Sequence, residues 1–194
     1  MSRVHRRRRR VAIGGMVIAA GVAAGLLFGI VGKVDHAIQE LTLPLRHEDI
    51  IRQQAREKGV DAALIAAVIY SESKFVDQTS SAGARGLMQI TPQAAKDIER
   101  RSGGTTFHIE DLSDPEINIR YGTFLLNEYL SDYGGNEIAA LAAYNAGPGY
   151  VEKWGGADLG IGDIRFPETR AYVEGVLEKR SEYRARYAKE LGYR

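Results

Sequence analysis

The chain has 194 residues, of which 44% are hydrophobic and 26% charged, and it contains no cysteine. This length fits one compact domain with appendages, and the apolar share excludes disorder over most of the chain. Without thiols, a disulfide scaffold and a thiolate metal site are both excluded. Six arginines lie in residues 1–10, so the net charge of +1 leaves −5 for residues 11–194. Because this body is mildly acidic, we expect no nucleic-acid partner.

The basic residues 1–10 are followed by an apolar segment. Residues 11–32 form a run of 22 residues without a charge, and about 20 residues are enough to cross a membrane. The arginines before the run favour an N-terminus that stays in the cytoplasm. We therefore expect a single-pass transmembrane anchor in the cytoplasmic membrane. A signal peptide cleaved near Val22-Ala23-Ala24, giving a secreted protein, is the alternative. Either reading places the rest of the chain on the extracytoplasmic side.

The remainder is predicted to be a tether, residues 33–46, and one mainly α domain, residues 47–194. Helix starts are indicated by an N-cap residue or an N-cap followed by proline. The predicted helices cover residues 47–58, 62–70, 92–100, 116–131 and 137–145, and one from about 167 to 189. Pro148 and Gly149 are expected to interrupt the helical pattern. A short ribbon between Arg85 and Ile90 is the one expected extended element.

Glu72 follows the strongly apolar stretch 62–70, which should be buried almost all round. Burial disfavours a charged carboxylate, and so does the negative end of a helix dipole. Both effects raise a carboxyl pKa, which is how a glutamate remains a proton donor near neutral pH. From its position alone, an ordinary surface residue at a helix end is an equal alternative.

Three later stretches carry polar groups suited to a saccharide. Residues 80–89 combine glycines, hydroxyls and the amide of Gln89, and glycine lets the backbone approach a ligand closely. Residues 142–149 end a helix with Tyr144 and Asn145, and residues 167–173 begin one that carries Tyr172. Each stretch alone is also consistent with a loop, a helix cap or core packing.

Together these stretches resemble one known family. They occur in the order and approximate spacing of the soluble-lytic-transglycosylase (SLT) domain, the catalytic module of bacterial peptidoglycan lytic transglycosylases, which has a lysozyme-like α fold. The resemblance runs from about His47 to Arg180, and Asn118 and Gly122 also look like the family's residues. The motifs that carry it are Glu72-Ser73, Gly86-Leu87-Met88-Gln89, Ala143-Tyr144-Asn145-Ala146-Gly147 and Glu168-Thr169-Arg170-Ala171-Tyr172-Val173.

The resemblance implies that Glu72 is the catalytic acid and base. It implies that Met88 and Gln89 line the cleft, and that Tyr172 and Tyr144, the latter supported by Asn145, face the sugar near Glu72. Ser73 is implied to support the local structure, and Ser80 to contact the sugar's N-acetyl group. Ser81 replaces the proline that is common after that serine, so the choice between Ser80 and Ser81 stays open. The implied substrate-binding residues are Ser73, Ser80, Met88, Gln89, Tyr144, Asn145 and Tyr172.

The implied reaction cleaves the β-1,4 bond between N-acetylmuramic acid and N-acetylglucosamine in peptidoglycan strands, without water, and leaves 1,6-anhydromuramic acid. One glutamate suffices, and we expect no cofactor and no metal, because the four histidines are scattered. A hydrolytic muramidase of the same fold, with Asp77 or Asp97 holding a water, is one alternative. A peptidoglycan-binding module without catalysis is the other.

Overall fold

The computed structural model of the chain describes residues 40–102 and 107–193, and in residues 44–193 it shows a helical unit. Its α-helices are joined by connections, two of which contain short 3-10 segments: Ile109–Ser113 in one, and Gly156–Asp158 and Ile161–Asp163 in the other. The helices are α1 (Glu48–Lys58), α2 (Ala62–Ser73), α3 (Pro92–Ser102), α4 (Pro115–Asp132), α5 (Glu137–Ala146), α6 (Pro148–Trp154) and α7 (Pro167–Arg186). The predicted mainly α domain is confirmed.

Most helix starts follow the local signals in the sequence. The Asp61 carboxylate accepts from the Ala63 amide at 3.1 Å at the start of α2. Asp114, with Pro115 behind it, caps α4 in the same way, and Asn136 caps α5. Side-chain caps of this kind satisfy amide groups that have no partner within the helix.

The end of α2 and the segment after α5 differ from the prediction. Helix α2 continues three residues past Tyr70, so Glu72 lies inside its last turn. Pro148 opens the short helix α6 instead of only ending α5, because proline at the first helical position costs no hydrogen bond. The expected ribbon is present as antiparallel bridges that pair Arg85 with Ile90 and with Thr79.

Helix α2 lies at the centre of the domain. Every residue from Ala62 to Ile69 is buried, which confirms the prediction that this helix is covered all round. It packs mainly against α7 and also against α1, while α5 contacts α4, α6 and α7. Glu72 therefore stands at the end of the most deeply buried helix, opposite the start of α7.

No helix within the described residues is long and apolar enough to cross a membrane. The predicted anchor, residues 11–32, lies outside the part of the chain that the structure describes.

Candidate active site

Glu72 is the penultimate residue of α2, and the chain leaves the helix immediately after it. Lys74 and Phe75 both adopt left-handed backbone conformations, with φ of 53° and 63°. The Phe75 side chain is buried and packs against Tyr183. This buried ring fixes the turn, so the half-buried Glu72 carboxyl is presented at a defined place rather than on a fraying helix end.

The carboxyl group of Glu72 is in an unusual electrostatic environment. Burial raises its pKa from 4.5 to about 7, while a hydrogen bond from Tyr172 acts in the opposite direction. The Tyr172 hydroxyl donates to Glu72 Oε1 at 2.7 Å. Burial, and then the nearby Glu72, raise the pKa values of Tyr144 and Tyr172 well above that of an ordinary phenol. The site therefore holds neutral phenols around an acid that gains and loses its proton near neutral pH.

The loop after α2 is tied back to the helix by its hydroxyl groups. Ser73 Oγ donates to the carbonyl of Leu87 at 2.7 Å. Ser80 Oγ accepts from the Ala84 amide at 3.0 Å and is half-buried, whereas Ser81 is exposed. Ser73 and Ser80 are thus both hydrogen-bonded to the backbone of the loop. Of the neighbouring pair, Ser80 and not Ser81 is held on the inner side of the turn.

The Gln89 side chain is also hydrogen-bonded within the loop. Its Nε2 donates to the carbonyls of Gln78 and Gly86 at 3.0 and 2.9 Å, and its own backbone is left-handed with a φ of 49°. The Gln78 side chain in turn donates to the Glu72 carbonyl at 3.3 Å. The two amides connect the end of α2 to the loop that faces it.

Asn118 is a positioning residue that the sequence marked only through the family resemblance. It is fully buried in α4, accepts from the Met88 amide, and donates to the carbonyls of Arg85 and Leu112, all within 2.8–2.9 Å. A Cβ on Gly86 would lie 2.1 Å from Asn118 Nδ2. Glycine at this position therefore makes room for the asparagine that holds the loop.

Met88 does not line an open cleft as predicted. Its side chain is fully buried and packs against Gly122, where a Cβ would meet Sδ at 2.3 Å. Its carbonyl accepts from the Tyr144 hydroxyl at 2.9 Å. Met88 thus contributes a backbone acceptor that orients Tyr144.

A side-chain hydrogen bond joins the C-terminal end of α5 to the first turn of α7. Thr169 Oγ1 donates to Asn145 Oδ1 at 2.8 Å, which joins the residue after Tyr144 to the first turn of α7. Tyr144 directly precedes Asn145, and Tyr172 follows Thr169 by three residues. The contact therefore lies within about one helical turn of both tyrosines. The structure therefore brings Glu72, Tyr144, Asn145 and Tyr172 into one cluster, as the sequence predicts.

The domain also has a groove of about 680 Å³, and none of Glu72, Tyr144, Asn145 and Tyr172 lines it. It runs between α3 and α4 and reaches Pro148 at the start of α6. Thr91, which follows Gln89 by two residues, stands at one edge, and Tyr129, whose hydroxyl is among the groups that raise the Tyr144 pKa, lines it. Sequence patterns gave no indication of this space, because it depends on how α3 and α4 pack against each other. Within the described residues, no group of acidic or histidine side chains is arranged to hold a metal ion.

A lysozyme-like helical fold with a desolvated glutamate beside two phenols defines the class. The chain belongs to the family described as Transglycosylase SLT domain, which residues 49–162 match.

Relatives support the same assignment over most of the chain. The chain is 36% identical over 169 residues to the soluble lytic murein transglycosylase of Salmonella typhimurium, covering 80% of this chain and 25% of that protein. It is 33% identical over 139 residues to the membrane-bound lytic murein transglycosylase C of Glaesserella parasuis, covering 61% and 38% of the two chains.

A solved structure has the same fold. An inactive glutamate-to-glutamine variant of the lytic transglycosylase Slt from Pseudomonas aeruginosa is 34% identical and superimposes with a TM-score of 0.72, covering 77% of this chain and 26% of that one. The chain thus spans about a quarter of the length of the soluble relatives that it matches.

Proposed function

We propose that this domain is a peptidoglycan lytic transglycosylase that cleaves the N-acetylmuramic acid to N-acetylglucosamine bond without water, with Glu72 as acid and then base. The observation that carries the proposal is the Glu72 carboxyl, whose pKa burial raises to about 7 and whose partner is a phenol instead of a second carboxylate. A carboxyl with this pKa is populated in both protonation states near neutral pH. One residue then serves both proton transfers.

In the first step, protonated Glu72 gives its proton to the glycosidic oxygen as the bond to muramic C1 breaks. The muramic N-acetyl oxygen stabilises the positive charge that develops at C1. In the second step, the Glu72 carboxylate removes the proton of the muramic C6 hydroxyl while that oxygen bonds to C1. The products are a 1,6-anhydromuramic end and a free 4-hydroxyl on N-acetylglucosamine, so no water is consumed. Intramolecular attack is efficient because the reacting atoms are already adjacent.

Tyr172 and Tyr144 support these steps in different ways. The Tyr172 hydroxyl, by donating to Glu72 Oε1, stabilises the carboxylate that forms after the first transfer. The Tyr144 hydroxyl is held by the Met88 carbonyl, so its ring is fixed beside the acid and helps to exclude water. We assign Ser80, Gln89 and Asn145 to the walls that receive the sugar, with their local hydrogen bonds holding them in place.

A hydrolytic reaction needs a second carboxylate to activate water. Asp97, one of the two residues that the sequence offers for it, is held by Arg100 and by Gln93 Nε2 on α3. Asp77, the other, is exposed in the loop after α2. These positions favour the lyase reaction over hydrolysis.

The same proposal includes the location. An anchor formed by residues 11–32, with the arginines of residues 1–10 in the cytoplasm, would place the catalytic domain beside the wall polymer. The membrane-bound relative from Glaesserella parasuis supports such an arrangement.

The test is the mass of the digestion products. Purified peptidoglycan is incubated with the full chain in mild detergent and, separately, with its Glu72→Gln variant. Anhydro-muropeptides that are lighter by one water than reducing-end products, and that disappear with the variant, are the expected result. Reducing-end products from the native chain would show a hydrolase. Cleavage that persists in the variant would remove Glu72 from the mechanism, and binding without any product would show a non-catalytic module.

A further inference from the structure

Tyr150 is an exposed aromatic side chain on α6, the helix that the sequence did not predict. Among the described residues of the helical domain, Tyr150 and Val76 are the large apolar side chains that stand out into solvent, and 44% of the tyrosine's surface is exposed. A single exposed ring is ordinary, whereas one that belongs to a larger aromatic cluster marks a candidate binding surface.

The ring of Tyr150 is held rigidly from behind. Trp154, one turn later and only 9% exposed, stacks on it with ring centroids 5.8 Å apart and an interplanar angle of 29°. Phe166 meets the tyrosine ring edge-on at 4.8 Å and the indole at 4.9 Å. A ring fixed by two aromatic neighbours loses little conformational freedom when a ligand packs on it.

This aromatic platform, formed by Tyr150, Trp154 and Phe166, stands on the chain segments that adjoin the proposed active site. The Tyr150 amide donates to the carbonyl of Gly147, which lies two residues after Asn145. Pro148, in the same first turn of α6, lines the groove between α3 and α4. Phe166 immediately precedes α7, whose Thr169 and Tyr172 bind Asn145 and Glu72. The elements that fix the platform are thus the ones that fix the acid.

A cation stands over the platform. Lys153 Nζ lies 5.4 Å from the centre of the Tyr150 ring, in the range of a cation–π contact. Its ammonium group is exposed and offers three hydrogen-bond donors beside an apolar ring face. An apolar face with donors at its edge matches a pyranose, which has one face of C–H groups and a rim of hydroxyl and acetamide oxygens.

We propose that the platform is an outer saccharide subsite: an N-acetylated sugar of the same glycan strand, beyond the bond that is cleaved, stacks on Tyr150 while Lys153 donates to its oxygens. The subsite rests on the proposed function, since its place next to the end of α5 and the start of α7, which carry the partners of Glu72, is what selects a glycan over other partners. It lengthens the stretch of strand that the domain grips and adds nothing to the bond-breaking step.

The single tryptophan of the chain makes the proposal directly measurable. Trp154 is the only indole in 194 residues, and it stacks on the ring that would receive the sugar. We would titrate β-1,4-linked N-acetylglucosamine oligomers, from dimer to hexamer, into the full-length Glu72→Gln chain in detergent, following Trp154 emission and the heat of binding together. The expected result is a saturable emission change that appears only with the longer oligomers.

Variants separate stacking from folding. Tyr150→Ala should weaken binding of the long oligomers roughly tenfold and leave the short ones unchanged. Tyr150→Phe keeps the ring and should retain affinity. Lys153→Met, which keeps the aliphatic stem, should lose part of the affinity, and Lys153→Arg should restore it. Equal melting temperatures for these variants would exclude a loss of structure.

Other outcomes are equally clear. Heat of binding without any change in Trp154 emission, or equal affinities for Tyr150→Ala and the parent, would overturn the subsite while leaving the active-site proposal intact. An emission change with vesicles of anionic phospholipid but not with saccharide would mean that the platform faces a membrane. Failure of the native chain to cleave peptidoglycan is a separate observation, and it would count against the proposed function itself.

Discussion

Helices α1 and α2 each end with a glutamate at the same place, the penultimate residue, yet the two carboxyl groups behave in opposite ways. Glu57 in α1 is exposed and accepts hydrogen bonds from Gln53 and Gln54 at 2.9 and 3.0 Å, with Lys58 nearby. These bonds and the lysine lower the pKa of Glu57. Glu72 in α2 is desolvated, and its pKa is raised to about 7.

The comparison separates two causes of a raised carboxyl pKa, the helix dipole and burial, which the sequence could not distinguish. Both glutamates lie in the last helical turn, where the helix dipole disfavours a carboxylate. Because the dipole acts on both, it does not account for the difference. The neighbours do: amide donors and a lysine surround Glu57, whereas buried side chains and a single phenol surround Glu72. Burial, more than position in the helix, therefore raises the pKa of Glu72.

The largest expected effect is on catalysis. Glu72→Gln should reduce the rate of peptidoglycan cleavage by about 10²–10⁴-fold, the usual contribution of a general acid or base. Glu57→Gln, the matched change in α1, should leave the rate as it is. Release of anhydro-muropeptides measures both. A similar loss in the two variants would mean that the effect comes from the fold and not from proton transfer.

The second effect is on stability. The pKa of Glu72 is 4.5 in the unfolded chain and about 7 in the folded one. The contribution of Glu72 to the free energy of unfolding is therefore fully present below pH 4.5 and is lost as the pH rises through about 7. Glutamine does not titrate, so Glu72→Gln removes this loss. The free energy of unfolding of the variant, measured against that of the parent, should be about 3 kcal/mol higher at pH 8 than at pH 4. Urea unfolding followed by Trp154 emission measures the difference.

Glu57→Gln gives the opposite sign and serves as the control for that experiment. The folded-state pKa of Glu57 is lowered, so its contribution is present above the unfolded pKa and is lost as pH falls. The variant should therefore be slightly less stable than the parent at neutral pH. If both variants shifted the free energy of unfolding in the same direction, the opposite environments described for the two glutamates would be wrong.

A smaller effect should follow from Tyr172→Phe. Removing the hydroxyl that donates to Glu72 leaves burial unopposed, so the pKa of Glu72 should rise further. The alkaline limb of the pH–rate profile, where Glu72 must still carry its proton, should move to higher pH. The rate at the optimum should fall about tenfold. A profile that loses amplitude without moving would restrict Tyr172 to a packing role.

The smallest effect is expected in α1. Gln53→Ala removes the largest of the interactions that lower the pKa of Glu57, so this pKa should return part of the way toward its ordinary value. Carboxyl carbon chemical shifts during an NMR titration measure it, with the Glu72 signal as an internal reference. A shift of the Glu72 titration in this variant would show that the two helix ends are coupled.

The fold was predictable wherever the signal was local. Asp61, Asp114 and Asn136 cap their helices through residues two or three positions away, so the sequence alone indicated those starts. Helix α6 was missed because Pro148 and Gly149 suggested an interruption, although proline also suits the first turn of a helix. The extra turn of α2 depends on the buried Phe75 beyond it, which is a tertiary contact.

The candidate site was predictable through the family resemblance more than through physics. Nothing local indicates that Tyr172 reaches Glu72, or that Asn118 binds the backbone of Met88, 30 residues away. Met88 was expected at the cleft, but the cavity beside Gly122 takes its side chain into the core. The groove between α3 and α4 and the platform on α6 depend on how separate elements pack against each other, which periodicity does not reveal.

The long sequence separation around Glu72 has a consequence for the order in which the domain is made. Tyr172 follows Glu72 by 100 residues, and the Tyr193 hydroxyl, which accepts from the Ala63 amide, follows that residue by 130. Contacts that close such long loops form late, since the entropy of closure precedes any gain. During synthesis, α2 emerges well before α7 exists to cover it. A growing chain therefore carries an ordinary exposed glutamate, and the acid is created only when the last helix docks.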